Sequence, residues 1–120
     1  MKPIKSYKDL HIWQEGIDLV DSIYKLTANF PSQETYGLIS QMRRAAVSVP
    51  ANIAEGYCRN HKKELRQFLY VALGSLAELE THSVIAQRQG FLTTQQVEDH
   101  IERRAASVRN KTLAFLRSMR

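Results

Sequence analysis

At 120 residues the chain has room for one domain and one core, burying roughly two-thirds of its unfolded surface. Apolar residues at 43% and charged residues at 24% exclude wholesale disorder, and five Gly with three Pro favour long elements over many short strands. The net charge is +5, the lone cysteine, Cys58, excludes an intrachain disulfide, and no stretch approaches the roughly 18 apolar residues of a membrane span.

Four amphipathic segments follow one another along the chain. The first is predicted over about 9–29, with Leu10, Trp13, Ile17, Val20, Ile23/Tyr24 and Thr27 three or four apart on one stripe. Phe30-Pro31 ends it, because proline removes a donor and restricts the residue before it. Ser32 is the expected N-cap of the second helix, over about 33–58, whose apolar positions are Leu38, Met42, Ala45/Ala46, Val49, Ile53 and Tyr57. Pro50 falls inside that pattern and predicts a kink or local break.

Asn60 or His61 opens a third helix, over about 61–89, with Leu65, Phe68/Leu69, Ala72, Leu76, Leu79 and Ser83/Ala86 on its core side and Gly90 as its C-cap. Thr93 and Gln96 form a capping-box pair for the fourth, over about 94–118, which carries Val97, Ile101, Ala105, Val108, Thr112, Phe115/Leu116 and Met119. No segment alternates with period two over a useful length. The expected fold is therefore all-α, an antiparallel up-down four-helix bundle spanning residues 1–120 as one domain.

Two features go beyond an ordinary bundle. The third helix has apolar residues off its main stripe, Tyr70, Val71, Leu73 and Ile85, with small Gly74, Ser75 and Ala77 between them. They mark either a wide core face or a subunit interface. The second helix carries a polar row of Gln41, Arg44, Ser48, Asn52 and Glu55, which reads as a solvated face, a hydrogen-bonded seam or a binding groove.

The charge is unevenly spread. Residues 59–70 hold Arg59, Lys62, Lys63 and Arg66 against Glu64, and residues 95–120 hold Arg103, Arg104, Arg109, Lys111, Arg117 and Arg120 against Glu98, Asp99 and Glu102. The rest of the chain is close to balanced. These ten cations are the candidate nucleic-acid contacts, set against the plainer reading of a solvated surface.

Catalytic signals are weak. No Glu stands three residues before His11, His61, His82 or His100, so the Glu-x-x-His signature of di-iron bundles is absent. Glu78 and His82, one turn apart, read as a helical salt bridge or hydrogen bond rather than a metal pair. Nothing orients Cys58 towards His61 as a nucleophile and base. Phosphate loops, dinucleotide fingerprints and zinc-type cysteine spacings are missing. Phe68 and Tyr70 near Arg66 are too little for a base-stacking platform. The expectation is a protein that is not an enzyme and needs neither metal nor cofactor. The N-terminus lacks the apolar run of a signal peptide, so a soluble cytoplasmic protein without a membrane partner is expected.

The central segment adds a resemblance. Phe30-Pro31, Tyr36-Gly37-Leu38 and the run from Gln41 to Gly56, with Arg43-Arg44, Val49-Pro50-Ala51-Asn52 and Glu55 inside it, resemble the four-helix-bundle proteins encoded in intervening sequences of bacterial 23S ribosomal RNA genes. Asp9-Leu10 with Trp13, Phe68-Leu69, Gly74-Ser75-Leu76, Glu78-Leu79-Glu80-Thr81 and Gly90-Phe91-Leu92 extend the likeness over residues 7–93. A related branch is the accessory variability determinant proteins of diversity-generating retroelements. The resemblance implies a homopentameric ring that binds RNA or another nucleic acid, with a reverse transcriptase as the alternative partner. It implies that Gln41, Arg43, Arg44, Ser48, Asn52 and Glu55 tie helices or subunits together. It transfers no catalytic role.

Overall fold

The computed structural model describes residues 3–119. The described residues form four helical rods and no strand. A 3-10 turn at Tyr7–Asp9 leads into α1 (His11–Thr27), and a second at Ser32–Glu34 precedes α2 (Leu38–Cys58). α3 (Lys62–Arg88) follows a three-residue connection. The fourth rod consists of α4 (Thr94–Val97), a π-helical turn (Glu98–Glu102) and α5 (Arg103–Ser118).

Contacts between neighbours run in opposite directions, which fixes the up-down topology. Gly16 of α1 lies against Pro50 of α2, while Arg43 of α2 reaches back to Thr27. Ser48 meets Ser75 across α2 and α3, and Arg59 meets Phe68. Arg66 reaches Leu116, Glu80 reaches Arg109, and Gln87 reaches Thr94. α1 closes the bundle against α5 through Glu15 and Ser107. The molecule measures 42 × 25 × 22 Å, close to the ~40 Å expected of a 27-residue helix such as α3.

The core stripes of α2, α3 and the fourth rod fall where the sequence periodicity puts them, with Met42, Val49, Ile53, Leu69, Leu76, Leu79, Ile101 and Val108 fully buried. In α1 the buried column is displaced by one residue. Ile12, Gly16, Leu19, Ile23 and Thr27 face the core, while Trp13, Ile17 and Val20 are half-buried and Tyr24 is exposed. Two adjacent apolar columns compete on this helix. The inner one carries Gly16, where a Cβ would stand 3.3 Å from Pro50 Cβ, so the glycine lets α2 approach closely.

Helix boundaries show further differences. Leu10, in extended conformation, separates the first 3-10 turn from α1, so the helix starts at His11 rather than Asp9. Ser32 is not the cap of α2; it lies in a separate turn, and α2 starts at Leu38 behind Gly37. The Glu34 carboxylate accepts the Leu38 N–H at 3.1 Å in place of a hydroxyl cap. α2 also runs unbroken through Pro50, which is buried against α1.

The ends of α3 behave as expected from their chemistry. Asn60 takes a left-handed φ of 61° and turns the chain between α2 and α3, and His61 is the N-cap. Gly90, at φ 82°, completes a Schellman motif in which Phe91 N–H donates to Ala86 O at 2.9 Å and Gly90 N–H to Gln87 O at 3.0 Å. Thr93 and Gln96 make the reciprocal capping box, at 2.9 and 3.0 Å.

Candidate nucleic-acid interface

The antiparallel topology brings the two basic segments of the sequence together. α3 begins at the end of the bundle where α5 finishes, so Arg66 shares a notch with Arg117, and Lys62 and Lys63 lie in the first turn of α3 at the same end, Lys62 beside Gly56 and Tyr57 of α2. Contact is direct: an Arg66 amino group donates to Leu116 O at 3.3 Å, a carbonyl in the last turn of α5 that also accepts the Met119 N–H at 3.2 Å. Arg66, Tyr70, Leu113, Leu116 and Arg117 line one shallow notch there. Arg59, at the end of α2, occupies the same end of the molecule.

The ten sequence candidates divide by whether their charge is already used. Arg59 bonds Glu55 at 3.0 Å, approaches Glu64 at 3.9 Å and lies over the Phe68 ring. Arg103 pairs with Asp99 at 3.5 Å, Arg109 with Glu80, and Lys111 with Glu15 at 2.8 Å. Among the described residues, Lys62, Lys63, Arg104 and Arg117 make no ion pair and are exposed. Arg104 stands apart from the other three, nearly four helical turns or about 20 Å along the rod from Arg117. Arg120 lies outside the described residues.

Glu15 shows how the paired cations are held. Partial burial raises its carboxyl pKa, but hydrogen bonds from Lys111 and Ser107, with the Lys111 charge, outweigh this and leave it below the ordinary carboxylate value. Ser107 donates to it at 2.6 Å. The Lys111–Glu15–Ser107 group therefore fastens α5 to α1, and Lys111 is structural rather than available.

The polar row of α2 is a seam between helices along part of its length. Asn52 donates to Ser48 O at 2.7 Å and to Ser48 Oγ at 2.8 Å, and Ser75 Oγ of α3 meets Ser48 Oγ at 2.8 Å. Glu55 holds Arg59. Gln41 and Arg44 are exposed. Arg43 belongs to the opposite flank of α2: it donates to Thr27 Oγ1 at 2.9 Å and covers the Tyr24 ring at 4.4 Å, tying α2 to α1.

The additional apolar residues of α3 do not share one face. Val71 shares the α2 side with Ser75, Tyr70, Leu73 and Val84 share the α5 side with Arg66 and Glu80, and Ile85 faces outward between the two flanks. Tyr70, Val71, Val84 and Ile85 are each about half exposed, and the back of Gly74 is open space. Val47 of α2, 42% exposed, was not singled out from the sequence, although its place outside the core column marks it.

The remaining sequence candidates have plain surroundings. His82 Nε2 is 4.0 Å from Glu78 Oε1, too long for a hydrogen bond, so the two attract as an ion pair when the imidazole is protonated. No hydrogen bond or ion pair links Cys58 to His61 among the described residues. No group of three or more His, Cys, Asp or Glu gathers among those residues, and no helix there is long and apolar enough to cross a membrane.

In comparison with known families, the model of the 23S rRNA-intervening sequence protein family matches residues 8–111, nearly the whole bundle. No curated protein matches the chain.

Proposed function

The chain belongs to the 23S rRNA-intervening sequence protein family, and from that premise we propose a non-catalytic, oligomeric scaffold that binds RNA through the end of the bundle where α3 starts and α5 finishes. The observation that carries this reading is the group of cations left without ion-pair partners there. Lys62, Lys63 and Arg117 keep their charge exposed to solvent, and Arg66 adds its guanidinium. Clustered cations bind nucleic acid by neutralising phosphates and releasing counterions, a mechanism that reads backbone and shape more than sequence.

Self-association multiplies a modest charge. Each chain carries +5, and copies joined through the half-exposed Val71 and Ile85 of α3 present several such ends on one particle. Covering those residues gives α3 the second buried side that its apolar content calls for.

The test is fluorescence anisotropy of the purified protein with a structured RNA, from low to physiological salt. Micromolar or tighter binding at low salt that weakens steeply as salt rises is the expected result. Absence of binding even at low salt contradicts the proposal and redirects the search to a protein partner.

A further inference from the structure

The notch between α3 and α5 has more than charge. Tyr70 is 53% exposed although it lies between the basic first turns of α3 and the end of α5. Sequence alone offers it one cation, Arg66, a single turn away. The fold adds Arg117, 47 residues further along the chain, on the opposite wall of a notch of about 130 Å³. Leu113 and Leu116 form an apolar floor. Lys62 and Lys63 extend the positive surface along α3, both about two turns before Tyr70. An exposed aromatic ring above an apolar floor, flanked by cations on two helices, is the chemistry that holds an unpaired base beside its own phosphates.

Resting on the RNA-binding reading above, we propose that this notch receives an unpaired base of single-stranded RNA. The base stacks on the Tyr70 ring, and Arg117, Lys62 and Lys63 neutralise the adjoining phosphates. Arg66 stays bonded to Leu116 O through one amino group and keeps its other N–H groups for the same strand. A duplex does not offer this contact, because its base faces are already stacked and side chains reach only its grooves and backbone. The notch therefore selects single-stranded segments, loops and ends over paired helices.

The experiment compares Tyr70→Ala, Tyr70→Phe and the unmodified full-length protein on a short labelled oligoadenylate and on an RNA duplex, with circular dichroism confirming that each variant is folded. Tyr70→Ala should weaken oligoadenylate binding about tenfold and leave duplex binding unchanged. Tyr70→Phe, which keeps the ring, should stay within about twofold of the unmodified protein. Equal losses on both RNAs, or no loss on either, overturn the base-stacking site while the broader RNA-binding reading stands. Failure of the unmodified protein to bind either RNA overturns both.

Discussion

Residues at the joints between helices decide how this sequence holds its shape, and two of them make sharp predictions. Glu15 has a folded-state pKa below its ordinary value because Lys111 and Ser107 stabilise the carboxylate. Its stabilisation is therefore fully present above the unfolded carboxylate pKa and is lost as pH falls through the lowered folded value. Glu15→Gln should cost about 1 kcal/mol at neutral pH, a few degrees of Tm. The gap should close in acid, below the ordinary carboxylate range, when thermal unfolding is followed against pH. Gly56 is the second case. A Cβ there would stand 2.7 Å from Phe68 Cβ, so Gly56→Ala should destabilise by about 1–3 kcal/mol despite the gain in helix propensity, as denaturant titration would show. At this scale the sequence was only partly legible. Arg43 sits among polar-row residues in the chain, yet its guanidinium packs on Tyr24 and Thr27 of α1, and adjacency in sequence cannot reveal which flank of a helix a residue occupies.

Among the elements, three of the four core stripes were readable because in each the main apolar column is the one that is buried, the other apolar residues of α2 and α3 staying at the surface. α1 has two neighbouring columns, and the inner one is identified only by the approach of Pro50 to Gly16, a contact between helices. The start of α2 was misplaced for a related reason. Ser32 satisfies the composition of a cap, but Gly37, at φ −109° and ψ −114°, breaks the helix path after it, and Glu34 closes the new end. Of the kink or local break expected at Pro50, the break does not occur, since α2 passes through it without interruption and buries the ring. Stops with a backbone requirement were clearer. Gly90 sits at φ 82°, so Gly90→Ala should cost about 1–2 kcal/mol and lower Tm by several degrees without changing the helical content of the folded state.

The whole molecule supplies what no single segment can. Two basic stretches separated by more than twenty residues become one surface because α3 and α5 run antiparallel and meet at the same end, through Arg66 and Leu116. The sequence identified the stretches but could not say which cations were already spent on Glu15, Glu55, Asp99 and Glu80. Assembly belongs to this scale too. Light scattering should give a mass several times the 13.8 kDa chain, and Val71→Glu, at a half-exposed position on α3, should return it towards the monomer while the helices persist. The most direct test of the account is the salt dependence of RNA affinity in two double variants. Lys62→Gln with Lys63→Gln removes unpaired cations, whereas Arg59→Gln with Arg103→Gln removes paired ones. Losing two phosphate contacts should weaken binding and lower the slope of log K against log salt by about 1.4 on single-stranded RNA. The second pair should leave affinity and slope nearly unchanged. Equal effects from both pairs, or a slope that neither changes, would contradict the claim that the unpaired end of the bundle holds the RNA.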